Sequence, residues 1–308
     1  MERLVISLGG NAFARDGDTM TMAGQFDFAA STLAPLAPLL ASECQLLVTH
    51  GNGPQVGYIL TRVEAALGAA YALPLEVCVA ESEGEIGYVL QQTLHNLSRG
   101  RRPVTTLLTQ VVVDAADPAF TAPSKPIGPW FSPAQSDAMA QAGISLLRDS
   151  AGKGRRTVAS PHPVRIVEAA VIEQMLRLGV VVIAAGGGGI PVVERDGQLE
   201  GVEAVIDKDW ATAMLAEAVA ASQLVLVTGV AGVYTDFGTP GEQLLGRVGA
   251  SQLEELAASG QFPAGSMGPK VEAAIHFHRA TGRPAVICQP QDLQHAIAGT
   301  AGTIVSGE

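Results

Sequence analysis

The chain has 308 residues, a formal net charge of −11, 47% hydrophobic and 16% charged residues. That length holds one large domain or two small ones with a substantial core, and the composition excludes collagen-like, disulfide-scaffold and disordered chains. An acidic chain without a Lys/Arg block lacks the clustered cations that nucleic acid or an anionic membrane surface requires, so small molecules are the expected partners.

From the N-terminus, Met1 to Leu8 lacks a basic stretch, a long apolar segment and a small-residue cleavage site, and reads as a first strand rather than a signal peptide. Strands are predicted over Leu4–Leu8, Gln45–Thr49, Val104–Val113, Val180–Ala185, Leu224–Thr228, Pro284–Gln289 and Thr303–Ser306. Helices are predicted over Gln25–Ser42, Gln55–Ala69, Gly84–Ser98, Ile166–Leu178, Asp207–Ala221, Ser251–Ser259, Met267–Thr281 and Gln291–Ile297. Continuous apolar character in Val180–Ala185 and Leu224–Thr228 marks strands covered on both faces, the signature of a parallel α/β sheet. The run Leu178 to Val193 is interrupted by four glycines and falls short of the ~20 residues a spanning helix needs. Between Asp114 and Pro163 the rhythm breaks: seven prolines surround one plausible helix, Pro133–Arg148. So long an excursion reads as a lid or small subdomain inserted in a domain that otherwise occupies 1–308. Cys44, Cys78 and Cys288 form neither a CxxC pair nor a disulfide framework and read as small buried hydrophobes in a reducing, cytoplasmic compartment.

Three apolar strands run directly into glycine-rich turns: Leu8-Gly9-Gly10-Asn11, Thr49-His50-Gly51-Asn52-Gly53 and Ala185 followed by Gly186 to Gly189. In a parallel sheet these turns share the carboxyl edge, where backbone N–H groups without Cβ shielding approach an anion. The alternative for any one turn is tight strand-to-helix packing. No GxxxxGK[ST] is present, so a Walker-type nucleotidase is unsupported. Gly51 to Gly57 approximates a dinucleotide fingerprint, with its last glycine one residue late, a proline inside, and Glu76 at about the distance of a ribose ligand.

Of 19 basic residues only Lys125, Lys153, Lys208 and Lys270 are lysines. A compact ammonium fits a crowded phosphate site that a guanidinium fork does not, so a surviving lysine is informative. Lys208 and Lys270 fall at predicted helix starts, where a cation opposes the macrodipole unless an anion lies nearby; Lys125 lies within the excursion, and Lys153 reads as a solvated loop charge. Asp207 and Asp209 flank Lys208, one placed to cap the helix and the other to orient lysines or approach a metal. His50 enters the second glycine turn, His276 and His278 point to different faces of one helix, and Trp130 and Trp210 read as packing residues.

Taken together, Leu8–Ala12, His50–Gly57, Thr109–Asp114, Lys125–Pro129, Ala185–Val192, Gly201–Asp209 and Gly265–Ala273 resemble, in order, the motifs of the carbamate kinases of the amino acid kinase family. The resemblance runs from Val5 to about Val305 and implies a three-layer αβα sandwich, a homodimer, a mobile lid, and Mg2+-dependent phosphoryl transfer between carbamoyl phosphate and ADP, giving ATP and carbamate. It further implies that Gly9, Gly10 and Asn11 hold the transferring phosphoryl group and Gly51 and Asn52 the carbamoyl end. Lys125, Lys208 and Lys270 would neutralise phosphate charge, Asp209 would organise the lysines, and Thr228, Gly229, Tyr234 and Met267 would contact the nucleotide; no residue is singled out as a metal ligand. The chain departs from the family's usual residues at Glu83, where Gln is common, near Gly154 and Arg155, at His162 and at Ala231. Those departures keep open a family member acting on another small carboxylate or carbamate. A non-catalytic nucleotide or metabolite sensor and an NAD-dependent dehydrogenase are the readings from other classes.

Overall fold

In the computed structural model, which describes residues 2–9, 21–263 and 265–307, the apolar strands of the sequence lie side by side. The main sheet has eight strands: β1 (Arg3–Leu8), β2 (Gln45–His50), β3 (Val104–Thr106), β9 (Val181–Ile183), β12 (Gln223–Val227), β15 (Arg247–Val248), β16 (Ala285–Cys288) and β17 (Thr303–Val305). Their order is β15-β17-β16-β12-β1-β2-β9-β3, and every neighbouring pair is parallel except β16 and β17.

Alternation along each strand divides the core into two layers. Val5, Leu47, Val182 and Leu224 pack with α6 (Ala169–Arg177), α7 (Lys208–Ala218), α8 (Ala250–Ala258) and α9 (Met267–Thr281). Leu4, Ile6, Leu46 and Val225 face α1 (Met22–Leu33), α2 (Ala37–Leu40), α4 (Leu75–Ser98) and α10 (Leu293–Ile297). These strand residues are 0% exposed, and each such side chain contributes ~1.5–3 kcal/mol of burial free energy. The result is the αβα sandwich with a mainly parallel sheet.

A second sheet, β11-β10-β4-β8, comprises β4 (Gln110–Val113), β8 (Pro163–Ile166), β10 (Ile190–Arg195) and β11 (Gln198–Gly201). The excursion forms a third, antiparallel sheet of β5 (Lys125–Phe131), β6 (Leu146–Arg148) and β7 (Gly154–Val158) with α5 (Pro133–Gln141). It rests on α3 (Gly53–Ala65): a Cβ at Gly57 would come within 2.0 Å of Gly128 Cα, so the two backbones touch. A ribbon of β13 (Tyr234–Thr235) and β14 (Gln243–Leu244) completes the strands.

Several predicted elements differ from those observed. The single helix expected over Gln25–Ser42 breaks into α1, a 3-10 turn at Ala34–Leu36 and α2, because Pro35 and Pro38 have no N–H to continue the ladder. The strand expected over Val104–Val113 is two strands in two sheets, divided at Leu107–Thr109. Ile166 belongs to β8 rather than a helix, and the helix expected over Pro133–Arg148 ends at Gln141, followed by Gly143 at φ 80° and then β6. Helix α4 starts nine residues before Gly84, which carries Glu83 inside the helix.

Candidate functional site

Strands β1, β2 and β9 are neighbours, so the three glycine turns open side by side at the carboxyl edge. Of the first turn only Gly9 is described; Gly10 and Asn11 lie outside the described residues. The Gly51 N–H donates to Leu8 O at 3.2 Å, joining the first two turns. Asn52 is 3% exposed, and its Nδ2 donates to Ser82 Oγ at 2.9 Å. Ala185 enters the third turn at φ 49° and Gly187 sits at φ 66°. A Cβ on Gly187 would meet Asn52 Nδ2 at 2.0 Å, and one on Gly186 would meet His50 Nε2 at 2.4 Å. Glycine is therefore required at 187 on both conformational and steric grounds and at 186 on steric grounds.

Three of the four lysines converge on the segment 207–209 at the start of α7. Lys208 Nζ lies 2.5 Å from Asp209 Oδ1 and donates to Ser7 Oγ of β1 at 2.8 Å. Lys270, one turn into α9, places Nζ 3.0 Å from Asp209 Oδ2. Lys125, from β5, donates to Asp207 Oδ2 at 2.8 Å. Asp207 is also the N-cap of α7, its Oδ1 accepting the Asp209 N–H at 2.9 Å. The helix is pinned over β2 by a buried hydrogen bond of 2.7 Å between Thr49 and Thr212 hydroxyls. These contacts hold two ammonium groups and a shared carboxylate beside the first two glycine turns.

Burial by itself would push the Asp209 carboxyl up; the charges of Lys208 and Lys270, and the hydrogen bonds they donate, outweigh it and hold the group well below the usual carboxylate range. Burial lowers Lys208, with Asp209 opposing the shift and Lys270 adding to it. Asp207 is likewise lowered: burial raises it, but Lys125 prevails. His50, 1% exposed, is brought down to about 4, chiefly by burial, against its bond to the Gly51 carbonyl and with the Lys208 charge adding. The ring is neutral at neutral pH.

Of the other predicted site residues, Thr228 follows β12, its N–H donating to Cys288 O at 2.8 Å, and Gly229 is exposed beside it. Tyr234 is half-buried on β13 with its ring 5.6 Å from Phe237, and Met267 is the first residue of α9. Two features of the dinucleotide reading have other uses: Gly57 lets the excursion sheet approach α3, and Glu76 packs on Gly201, where a Cβ would meet its Cγ at 2.6 Å. His162 of the excursion stacks edge-on against Trp210 at 4.9 Å, and Trp210 meets His276 at 5.3 Å. His278 turns away, toward the Arg283 and Gly307 carbonyls. All three cysteines are buried.

Ser7, Thr49 and Thr212 escaped the sequence reading. Ser7 and Thr49 carry one signal, a hydroxyl near an apolar strand's end just before a glycine turn; Thr212, within α7, carries none. Among the described residues no three His, Cys, Asp or Glu side chains gather as a metal cage, and Asp207 and Asp209 are already bonded to ammonium groups.

A parallel αβα sheet whose carboxyl edge gathers bare glycine turns and buried ammonium groups defines a phosphate-handling α/β protein. The sequence model of the amino acid kinase family matches residues 2–289, and the chain belongs to that family. It is 45% identical to the carbamate kinase-like protein YqeA of Escherichia coli and 42% identical to the carbamate kinase of Pyrococcus horikoshii, covering 99% of each chain in both comparisons. The structure of carbamate kinase from Giardia lamblia bound to AMP-PNP matches with a TM-score of 0.92 and 36% identity, over 100% of this chain and 99% of that one. No helix among the described residues is long and apolar enough to cross a membrane.

Proposed function

We propose that the chain is a carbamate kinase, moving a phosphoryl group reversibly between carbamoyl phosphate and ADP to give ATP and carbamate. The observation that carries this is the meeting of Lys208, Lys270 and Asp209 beside the glycine turns, with Lys125 reaching the same segment through Asp207. In the ATP-forming direction the P–O bond to the carbamoyl oxygen breaks as a terminal ADP oxygen bonds to phosphorus, and carbamate leaves. No protein nucleophile takes part, so catalysis consists of positioning and charge stabilisation.

Lys208, Lys270 and Lys125 neutralise the phosphate oxygens, and Asp209 holds two of the lysines at fixed separation. One charge pair at 4 Å is worth ~4 kcal/mol at an effective dielectric of 20, against the ~8–23 kcal/mol by which enzymes lower barriers. In-line positioning supplies ~7–11 kcal/mol more. Gly9, Gly10 and Asn11 take the transferring group, Gly51 and Asn52 the carbamoyl end, and Thr228, Gly229, Tyr234 and Met267 the nucleotide. Mg2+, bound to the nucleotide, would supply charge screening on its phosphates, which suits carboxylates around the lysines that are already bonded to ammonium groups. Residues 114–163 act as the lid, the enzyme works as a homodimer, and three buried cysteines suit the reducing cytoplasm, where arginine breakdown yields carbamoyl phosphate.

The test is ATP formation from carbamoyl phosphate and Mg-ADP by the purified protein. Folded protein that forms none defeats the reading. Glu83, buried where the turns pack, favours a second reading, a kinase of the same family acting on another small carboxylate or carbamate. A substrate panel with ATP separates the two.

A further inference from the structure

Glu83 lies mid-way along α4, 1% exposed, directly behind the third glycine turn. Its Oε2 accepts the Thr109 N–H at 2.9 Å, and the Gly186 backbone lies close against the same side chain. Oε1 is buried with no hydrogen-bond partner among the described residues. A Cβ on Gly186 would stand 3.1 Å from Glu83 Cγ, so carboxyl and turn are in direct contact. The contact extends through Thr109, whose Oγ1 accepts the Ala185 N–H at 2.9 Å. The Glu83 carboxyl on α4 is thus tied through Thr109 to the start of the turn whose Gly187 presses on Asn52.

Among the described residues, the groups facing Glu83 offer no compensating cation. His50 on β2 is neutral, the Lys208 charge is directed to Asp209 and Ser7, and Glu168 at the start of α6 is acidic. Among the described residues no lysine or arginine forms a salt bridge with Glu83. Burial pushes this carboxyl well above the usual range, against the Thr109 N–H, with the Glu168 charge adding to burial and the Gly186 N–H opposing it. Ionised, it would leave Oε1 as a buried charge without a partner among the described residues, the arrangement that proteins avoid by keeping the proton.

We propose that Glu83 is a positioning residue for the substrate, working as an uncharged acid that fixes the glycine turn against Asn52 and spares the neighbouring pocket a negative charge. The inference rests on the carbamoyl phosphate reading, because the ligand it protects is a small, multiply charged acyl phosphate. When Glu83 gives up its proton to solvent, its hydrogen bond from Thr109 remains but the pocket gains a like charge beside the substrate. Substrate affinity then falls on the alkaline side.

The full-length protein is assayed for ATP formation from about pH 6 to pH 10, as wild type and as Glu83→Gln, which keeps the shape and the acceptor for Thr109 but has no proton to lose. In the wild type, KM for carbamoyl phosphate rises about tenfold per pH unit above the point where Glu83 ionises. In E83Q that rise is absent, while kcat follows one course in both proteins. Identical KM profiles overturn the proposal. Infrared spectra of the wild type alone provide a readout independent of the variant's folding: a protonated-carboxyl C=O band persisting at about pH 7.5 supports the acid form, and a spectrum without one overturns it. If the wild type makes no ATP at any pH, the carbamoyl phosphate reading falls and takes the substrate half of this inference with it. The infrared band then upholds or overturns the acid form by itself.

Discussion

Lys125 Nζ and Asp207 Oδ2 are joined at 2.8 Å across 82 residues of chain, linking the excursion sheet to the first residue before α7. The same carboxyl caps the helix through its other oxygen. Anchoring of the excursion sheet and helix capping therefore meet in one side chain.

That double duty is separable. Asparagine caps a helix about as well as aspartate, whereas alanine costs ~0.5–2 kcal/mol. Asp207→Asn is expected to keep the melting temperature near that of the wild type while the 114–163 segment is cut faster in limited proteolysis and ATP formation falls. Asp207→Ala is expected to lose stability as well. An Asp207→Asn protein with wild-type proteolysis and turnover would show that the ion pair anchors nothing.

Asp209 compensates two ammonium groups, its side chain 4% exposed and theirs 11% and 12%. Removing one member of a buried ionic cluster typically costs ~3–5 kcal/mol, because the remaining charges stay desolvated. Asp209→Asn is expected to lose stability on that scale, read by chemical denaturation, and to lose most ATP formation. Lys270→Ala leaves Asp209 with Lys208 and is expected to cost less stability.

Glycines test the backbone contacts. At Gly57 an added Cβ would lie 2.0 Å from Gly128 Cα, so Gly57→Ala must shift β5 and is expected to destabilise by ~1–3 kcal/mol and to displace Lys125, lowering turnover. Gly84, exposed in the same helix as Glu83, has nothing within 4 Å of its Cβ position. Gly84→Ala is expected to stabilise by ~0.5–1 kcal/mol in thermal melts, leaving turnover unchanged.

Stability should depend on pH in opposite senses for three groups. Asp209 is depressed, so its contribution is present above the usual carboxylate range and is lost as pH falls through and below that range. His50 stays neutral down to about 4, so the unfolded chain takes up the proton first and stability falls as pH drops from the ordinary histidine range toward 4. Glu83 is raised, so the native state holds a proton that the unfolded state has lost, and stability declines as pH rises from the usual carboxylate range to its raised value. Denaturation midpoints followed against pH should show E83Q losing that alkaline-side decline while retaining the acid-side loss. The same slope in E83Q and wild type would contradict this assignment.

Local signals sufficed for the sandwich. The apolar runs Val180–Ala185 and Leu224–Thr228, read as covered on both faces, point to a parallel sheet, and the glycines that follow β1, β2 and β9 mark its carboxyl edge without coordinates. Scarcity of lysine singled out Lys125, Lys208 and Lys270, because side-chain chemistry is a property of single residues. What the sequence left undetermined were relations between distant segments. Which oxygen of Asp209 each lysine takes, the hydroxyl of Ser7 beneath them, and the use of Gly57 for a contact between α3 and the excursion sheet depend on distances that chain order does not encode. So does the protonation of Glu83: a glutamate becomes a neutral acid only when folding removes its water and supplies no cation in return.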